Sequence, residues 1–522
     1  MNAKTYFCCL CLWAGGHAAY GQSGIACNLE NLTELTLAKS PLIQLNRLEI
    51  DRSKANLQVQ TSAFDYQTNA GIGFNHNRSN LFASDPRRSI MADPLRTNTT
   101  DFTGSLQRRL RSGLVASVSA DYTRLSHNFP RNQFNEEVSP YLPDHSASAM
   151  LSLTQPLLRG RGGRIATAAE RASSMLVESA QSEFVLNSSY QVLQTGIAYW
   201  QYLNAHQRLA IFEENEARVR NVLQITEKLV EADKKPASDL VQIKADLAGQ
   251  QRQTIVARQE LLNTRINLGK VVGLDGLESG QLSVPLNEFP TLAESGFAET
   301  LSQEAMVAIA RQHRSDLAAF TKAQEALKVQ LDLARNNLKP QLDLSGYVGY
   351  GGSAVGNGFN RIYAPFINRQ GRDVNTGFRL NFAFPLNNNL AAANFSQQKI
   401  ALQNQLISYD NLVRNIDLNI SAALNNLTNS VLVLQKARET LEYSQNVFEN
   451  EQAKFQNGLT TILNLILFQE RLTYAQLDYL QAQQQFAMAL VNLRFETGTL
   501  LSAANASEAF SVRPDAFYTV PK

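Results

Sequence analysis

The chain has 522 residues, 44% hydrophobic and 18% charged, with a formal net charge of +2. So even a balance gives no reason to expect nucleic acid or an acidic polymer as partner. No run approaches the roughly 18 apolar residues of a spanning helix, and the mean hydropathy is slightly negative. A membrane crossing in this chain would have to use β-strands, whose apolar half is hidden from a hydropathy average.

The first residues read as an export signal. Lys4 supplies the charge, residues 6–14 a short apolar core, and Ala19-Tyr20-Gly21 a small-x-small cleavage site before Gln22, so residues 1–21 are expected to be a signal peptide. The core is brief and holds Cys8, Cys9 and Cys11. Cleavage leaves Cys27 alone, which rules out an intrachain disulfide. A lone cysteine near a mature terminus is a candidate for lipidation. The preceding Gly24-Ile25-Ala26 lacks the usual leucine, so an unmodified thiol is the preferred reading.

A helix over about 42–63 leads into the first alternating segment. There Tyr66, Thr68, Ala70, Ile72 and Phe74 share one face while Gln67, Asn69 and Asn75 share the other. An arginine-bearing stretch, 78–96, suits an external loop. Residues 100–110 and 113–125 form another alternating pair around Arg111-Ser112-Gly113. Arg108 and Arg109 make its first strand a poor lipid-facing element, so an extracellular hairpin is expected rather than extra wall strands. The next strand alternates Ala147, Ala149, Leu151 and Leu153 with Ser146, Ser148, Ser152 and Thr154.

Pro156 ends that strand and a proline-poor helical segment follows, over about 167–232. The glycine and arginine run at 159–164 lacks the Lys-Ser/Thr ending of a phosphate loop and reads as a flexible collar between strand and helix. The helix breaks at 231–238 and returns over 239–272. Residues 274–295 are loop-rich, and shorter helices are expected at 304–311 and 316–337. Two more alternating strands come next, built on Leu342, Leu344, Val348 and Tyr350, then on Val374, Phe378, Leu380, Phe382 and Phe384. Each strand is about the 9–11 residues that a tilted strand needs to cross a bilayer. A half-buried strand in a soluble sheet alternates identically, so context must decide.

The context is a second long helix. Between Pro385 and Pro514 there is no proline, and the only glycines are Gly458 and Gly498. Leu402, Leu406, Tyr409, Leu412, Ile416, Ile420, Ala423, Leu427, Val431 and Leu434 step mostly by three and four, a heptad-like seam. A helix over 389–456 extends on the order of 100 Å. It breaks at Phe455-Gln456-Asn457-Gly458-Leu459-Thr460-Thr461 and returns over 463–495. Glycine ends a helix in the left-handed conformation, Thr461 or Ser238 can cap the next one, and Pro236 suits a helix entry.

The chain therefore repeats itself. LSLTQPLLR at 151–159 and RLNFAFPLN at 379–387 are equivalent, with Pro156 and Pro385 as landmarks roughly 230 residues apart. The first unit spans 22–273, with strands at about 66–75 and 146–155, a helical hairpin over 157–273 and a tip near 231–239. A linker covers 274–300. The second unit spans 301–500, with strands at about 340–350 and 374–384, a hairpin over 386–497 and a tip near 455–464. Residues 501–522 form a tail.

With Arg314-Ser315-Asp316-Leu317 opening a helix, Asn337-Leu338-Lys339-Pro340-Gln341-Leu342 entering a strand and Thr154-Gln155-Pro156-Leu157-Leu158 leaving one, the chain resembles the outer-membrane efflux protein family of TolC-like channels. The resemblance covers nearly the whole mature chain. It implies a mainly α-helical protein with a membrane β-barrel, assembled as a homotrimer. Three copies of four strands would share a 12-strand barrel in Gram-negative outer-membrane lipid, above a helical tube in the periplasm. It also implies passive conduction for a tripartite efflux or type I secretion system, with a periplasmic adaptor protein and an inner-membrane transporter as partners. Elementary physics supports an oligomer independently. Four strands cannot close a barrel when the smallest have about eight, and an open edge is not viable in lipid.

The adaptor is expected at the tips, through Gly458, Leu459, Thr460 and Thr461 with Ala237 and Ser238. Well-studied relatives close the tip with a tyrosine, an arginine and acidic residues. Matching positions here hold Phe455, Thr460, Asn464 and Leu467, with Asp239 the one remaining acid. A gate of Phe455, Asn464, Leu467 and Asp239 would rest more on packing than on ion pairs.

No enzyme is expected, and no cofactor. His76, His127, His145, His206 and His313 are scattered without metal-ligand spacing, and no Gly-x-Ser-x-Gly sits between a strand and a helix. The alternative is a structural or adhesive surface protein with coiled-coil spacers. A spacer needs neither two equivalent strand pairs nor matching tips.

Overall fold

The computed structural model describes residues 25–85, 88, 94–128, 143–297, 301–367, 372–503, 510–511 and 513–521. The expected signal peptide over 1–21 lies outside them. In chain order come α1 (Leu29–Lys39), α2 (Pro41–Thr61), β1 (Tyr66–Ser79), β2 (Leu95–Arg109), β3 (Val115–His127) and β4 (Asp144–Pro156). Then follow α3 (Gly163–Ala166), α4 (Ala168–Glu231), α5 (Ala237–Val272), α6 (Gly276–Gly280), α7 (Leu292–Ser295), α8 (Gln303–His313) and α9 (Ser315–Asn337). The chain continues with β5 (Gln341–Val355), α10 (Ala364–Ile367), β6 (Arg372–Ala383), α11 (Asn389–Gln456) and α12 (Ile462–Glu496). A short β7 (Ser502–Ala503) pairs with β8 (Phe510–Ser511).

The sheet corrects the four-strand expectation. Strands β1 to β6 form one antiparallel sheet in sequential order. β1 pairs with β2 from Tyr66↔Arg108 to Ser79↔Leu95, and β3 pairs with β4 from Val115↔Thr154 to Leu125↔Asp144. The segment expected as an extracellular hairpin is therefore part of the sheet. The two arginines misled because they sit at the end of β2. Arg108 lies over the Tyr66 ring at 4.4 Å and donates to Phe64 O at 3.1 Å, at the point where the chain enters β1. The turn that follows is at the helix-bearing end of the sheet. Arg111 forks onto Glu170 at 2.8 and 3.1 Å, and a Cβ on Gly113 (φ +92°) would lie 3.1 Å from Gly160 O.

The 159–164 run is tied down rather than loose. Gly160 N donates to Asn336 Oδ1 at 2.7 Å, Arg159 N to Pro340 O at 3.3 Å, and Arg164 pairs with Asp332 at 3.1 Å.

The described residues fall into two compact units, and each takes a piece of both repeats. One holds 46–184 and 315–415, with the sheet and the helix segments nearest it. Within it Ser179 Oγ donates to Ala319 O at 2.9 Å, and Lys322 pairs with Glu178 at 2.8 Å.

The other holds the residues through Leu45, 185–314 and 416–522. Its largest core surrounds Trp200, on which Tyr199, Phe289 and Tyr518 pack at centroid distances of 5.2 to 5.8 Å. The loop-rich 274–297 segment and the C-terminal tail thus share a core with α1 and α4. Gly196 is required there, because a Cβ would lie 2.9 Å from the Phe517 ring. The seam on α11 buries Ala423, Leu427, Val431 and Leu434 against Phe486 and Leu490 of α12. Long helices with polar outer faces hold through such stripes, since propensity alone does not stabilise them in water.

Candidate functional site: the helical hairpin tips

The α11–α12 tip is built from a helix stop and a helix start. Gly458 takes φ +74°, Gly458 N bonds Phe455 O at 3.0 Å and Leu459 N bonds Lys454 O at 2.9 Å, so the last carbonyls of α11 are satisfied by a left-handed turn. Thr461 then caps α12 by accepting from Asn464 N at 3.3 Å. Leu459, between the two, is 76% exposed.

The α4–α5 tip does the same job with other residues. Asp233 holds φ 56°, Lys234 N bonds Leu229 O at 2.9 Å, and Pro236 precedes the first turn of α5. Ala237 and Ser238 are exposed. Lys235 joins the two tips. Its ammonium donates to Thr460 O at 3.3 Å and lies 5.2 Å from the centre of the Phe455 ring.

Among the described residues, no hydrogen bond or ion pair links the four residues expected as a gate to one another. Phe455 is only 1% exposed and packs with Val219, Ile243, Phe448 and Leu465 in a core below the tip. Asn464 Nδ2 donates to Thr460 Oγ1 at 3.3 Å, and Leu467 is exposed on α12. Among the described residues, Asp239 shows no side-chain hydrogen bond or ion pair; its backbone N bonds Pro236 O at 3.1 Å.

The acid that organises this tip is Glu451. It accepts from the Thr460 hydroxyl and from Lys454 Nζ at 3.2 Å, and the Thr460 bond holds its carboxyl below the ordinary value. Its partner Thr460 lies nine positions along the chain on the far side of a turn, a spacing that no helical period reveals.

Below the tip a polar ladder crosses three helices. Gln469 Nε2 donates to Asn215 Oδ1 at 2.8 Å, Asn215 Nδ2 to Gln250 Oε1 at 2.8 Å, and Gln250 Nε2 to Asp246 Oδ1 at 3.1 Å. Burial raises the Asp246 carboxyl, partly offset by the Gln250 bond. Asn215 and Gln469 are buried, so the ladder fixes the register of α4 against α5 and α12.

Cys27, the candidate for lipidation, is a core residue. It is 0% exposed, packs in the Trp200 core, and its backbone N donates to Ser283 Oγ at 3.0 Å. Burial pushes the thiol up to about 12. An acyl chain on Sγ would have to displace that packing.

Comparison with known proteins is consistent with this architecture. Residues 306–499 match the family described as outer membrane efflux protein. The outer membrane protein TolC of Vibrio cholerae serotype O1 is 22% identical over 321 residues, covering 62% of this chain and 70% of that one. The solved outer-membrane channel OprN shares the fold with a TM-score of 0.64, at 16% identity over 90% of both chains. The outer membrane protein VceC from Vibrio cholerae does so with a TM-score of 0.62, at 14% identity over 90% of this chain and 96% of that one.

Proposed function

We propose that this chain, which belongs to the outer-membrane efflux protein family, is the passive outer-membrane duct of a tripartite export system in a Gram-negative cell. Its sheet stands in the outer membrane and its helices form a tube in the periplasm. The observation that carries this reading is the two-faced sheet, apolar on one side and polar on the other, in the same chain as two long helical hairpins.

The sheet has free edges at β1 and β6. Unpaired backbone groups are costly in lipid, so the edges must meet other copies of the chain, and a homotrimer is the closure the family relationship supports. An inner-membrane transporter supplies energy and cargo. A periplasmic adaptor docks at the tips, where Leu459, Ala237 and Ser238 are exposed beside Gly458, Thr460 and Thr461. The protein itself binds no cofactor and catalyses no reaction. A structural spacer would cover the apolar sheet face with a core, whereas Ile72, Phe102, Val118, Leu151 and Val348 of that face are exposed in this chain.

Release of a trapped dye from proteoliposomes tests the reading. Vesicles carrying the protein should leak dye, and a Thr460→Ala variant should leak it faster. Vesicles that retain dye with either form, when the protein is folded and inserted, would leave only the spacer.

A further inference from the structure

We infer that β2 and β3 are membrane wall, so that three copies close a barrel of 18 strands, six from each. This rests on the outer-membrane reading above and departs from the four strands per chain implied by the family resemblance.

The register carries the argument. On one face, Ile72 of β1 stands beside Phe102 of β2, which stands beside Tyr122 of β3. Two rungs away, Leu106, Val118, Leu151 and Val348 run in a row through β2, β3, β4 and β5. These side chains are largely solvent-exposed in the isolated chain; Val118 is 48% and Phe102 45% exposed. The alternate positions of the inserted strands are polar: Asp101, Thr103 and Ser105 on β2, and Ser117, Ser119 and Asp121 on β3. They continue the polar face of β4, where Ser117↔Ser152 and Asp121↔Ser148 are partners and Met150, opposite Ser119, is the one apolar side chain between them.

An external hairpin has water on both faces and no need for such an alternation. A strand with lipid on one side and a wet lumen on the other requires it.

The charged residues on the apolar face fall at its ends. On β3, Ala116 to Arg124 is eight steps, about 26 Å along the strand and about 20 Å of height at a tilt of about 40°. An outer-membrane barrel presents an apolar band roughly 25 Å tall. Arg108 at one rim and Arg124 at the other therefore stand close to the two interfaces, which their long side chains reach by snorkelling, rather than at the bilayer centre. The strand directions also close. β1 leaves the helix-bearing end and β6 returns to it, so β6 of one copy meets β1 of the next antiparallel. Barrel diameter grows roughly linearly with strand number, so this one is about 1.5-fold wider than a 12-strand barrel. Such a pore suits bulkier cargo at the outer membrane, with selection left to the tips.

Single-cysteine variants test this, because buried Cys27 will not compete for the label. Phe102→Cys and Val118→Cys report on the inserted strands, Ser119→Cys on the polar face, and Phe74→Cys and Phe378→Cys on β1 and β6. Each is labelled with an environment-sensitive dye in vesicles containing brominated lipid, and the mass of the assembly is measured alongside. Quenching at Phe102 and Val118 equal to that at Phe74 and Phe378, none at Ser119, and a mass of three copies are expected. Quenching at Phe74 and Phe378 alone would overturn the six-strand wall while leaving the outer-membrane reading intact. No quenching anywhere would sink both. Quenching at all four outward positions with a copy number other than three would overturn the 18-strand count.

Discussion

The Thr460 hydroxyl donates to the Glu451 carboxylate, locking the turn between α11 and α12 to the helix that precedes it. Lys235 of the other hairpin then grips Thr460 O. A single threonine thus connects the end of one hairpin to the other. It ties the sequence of the tip to the proposed gating of the duct.

Glu451 should make the tip sensitive to acid. Its carboxyl is held below its ordinary value of 4.5. A depressed carboxylate contributes fully above that pH, and the contribution is lost as pH falls through the lower folded value. A fluorescent probe at Leu459→Cys should keep high anisotropy above pH 4.5 and lose it below. In a Glu451→Gln background it should be mobile already at pH 7, with little further change.

The polar ladder should show the opposite dependence. Asp246 is raised above its ordinary 3.8 by burial. Its contribution is therefore greatest below that pH and declines as pH rises through the folded value. Asp246→Asn should raise Tm at pH 7 and leave it nearly unchanged at pH 3. Asn215→Ala leaves Gln469 Nε2 and Gln250 Oε1 without their Asn215 partner and should cost about 2 kcal/mol in denaturant unfolding.

Arg314 and Glu496 form a buried ion pair at 2.8 Å, and Arg314 also donates to Glu496 O at 3.1 Å. Leaving one charge of such a pair alone is expensive. Arg314→Ala should destabilise by about 3 kcal/mol, read as a fall in Tm, whereas Arg314→Lys should lose less because one donor remains. Gly498, whose Cβ would meet Arg314 N at 2.9 Å, should tolerate no substitution at the same junction.

Cys27 should be inert in the folded protein. With its thiol at about 12 and no exposed surface, it should resist thiol reagents at pH 8 and react only after denaturation. Intact mass should show no acyl chain.

Much of this architecture is legible in the sequence because long elements have long patterns. The α11 seam repeats over ten positions, and α11 (Asn389–Gln456) and α4 (Ala168–Glu231) have no interior proline. The strands alternate cleanly, as a wall with lipid on one face and water on the other would require. What misled was local chemistry. Arg108 and Arg109 look disqualifying in a wall strand until their position at its end is known. Phe455 adjoins the turn, and the helix face it occupies points into the Ile243 and Leu465 core, which the sequence alone does not reveal. Glu451 was invisible as a tip residue because the turn, and not a period, brings Thr460 to it. The burial of Cys27 was equally hidden, because its core is assembled from segments far apart in the chain.

The most direct test of the duct is single-channel conductance of the purified protein in planar bilayers, compared with Glu451→Gln and Thr460→Ala. The account predicts a pore that is closed for most of the record in the unmodified protein and open for much more of it in both variants. No conductance in any of the three, from protein confirmed as folded and inserted, would contradict it.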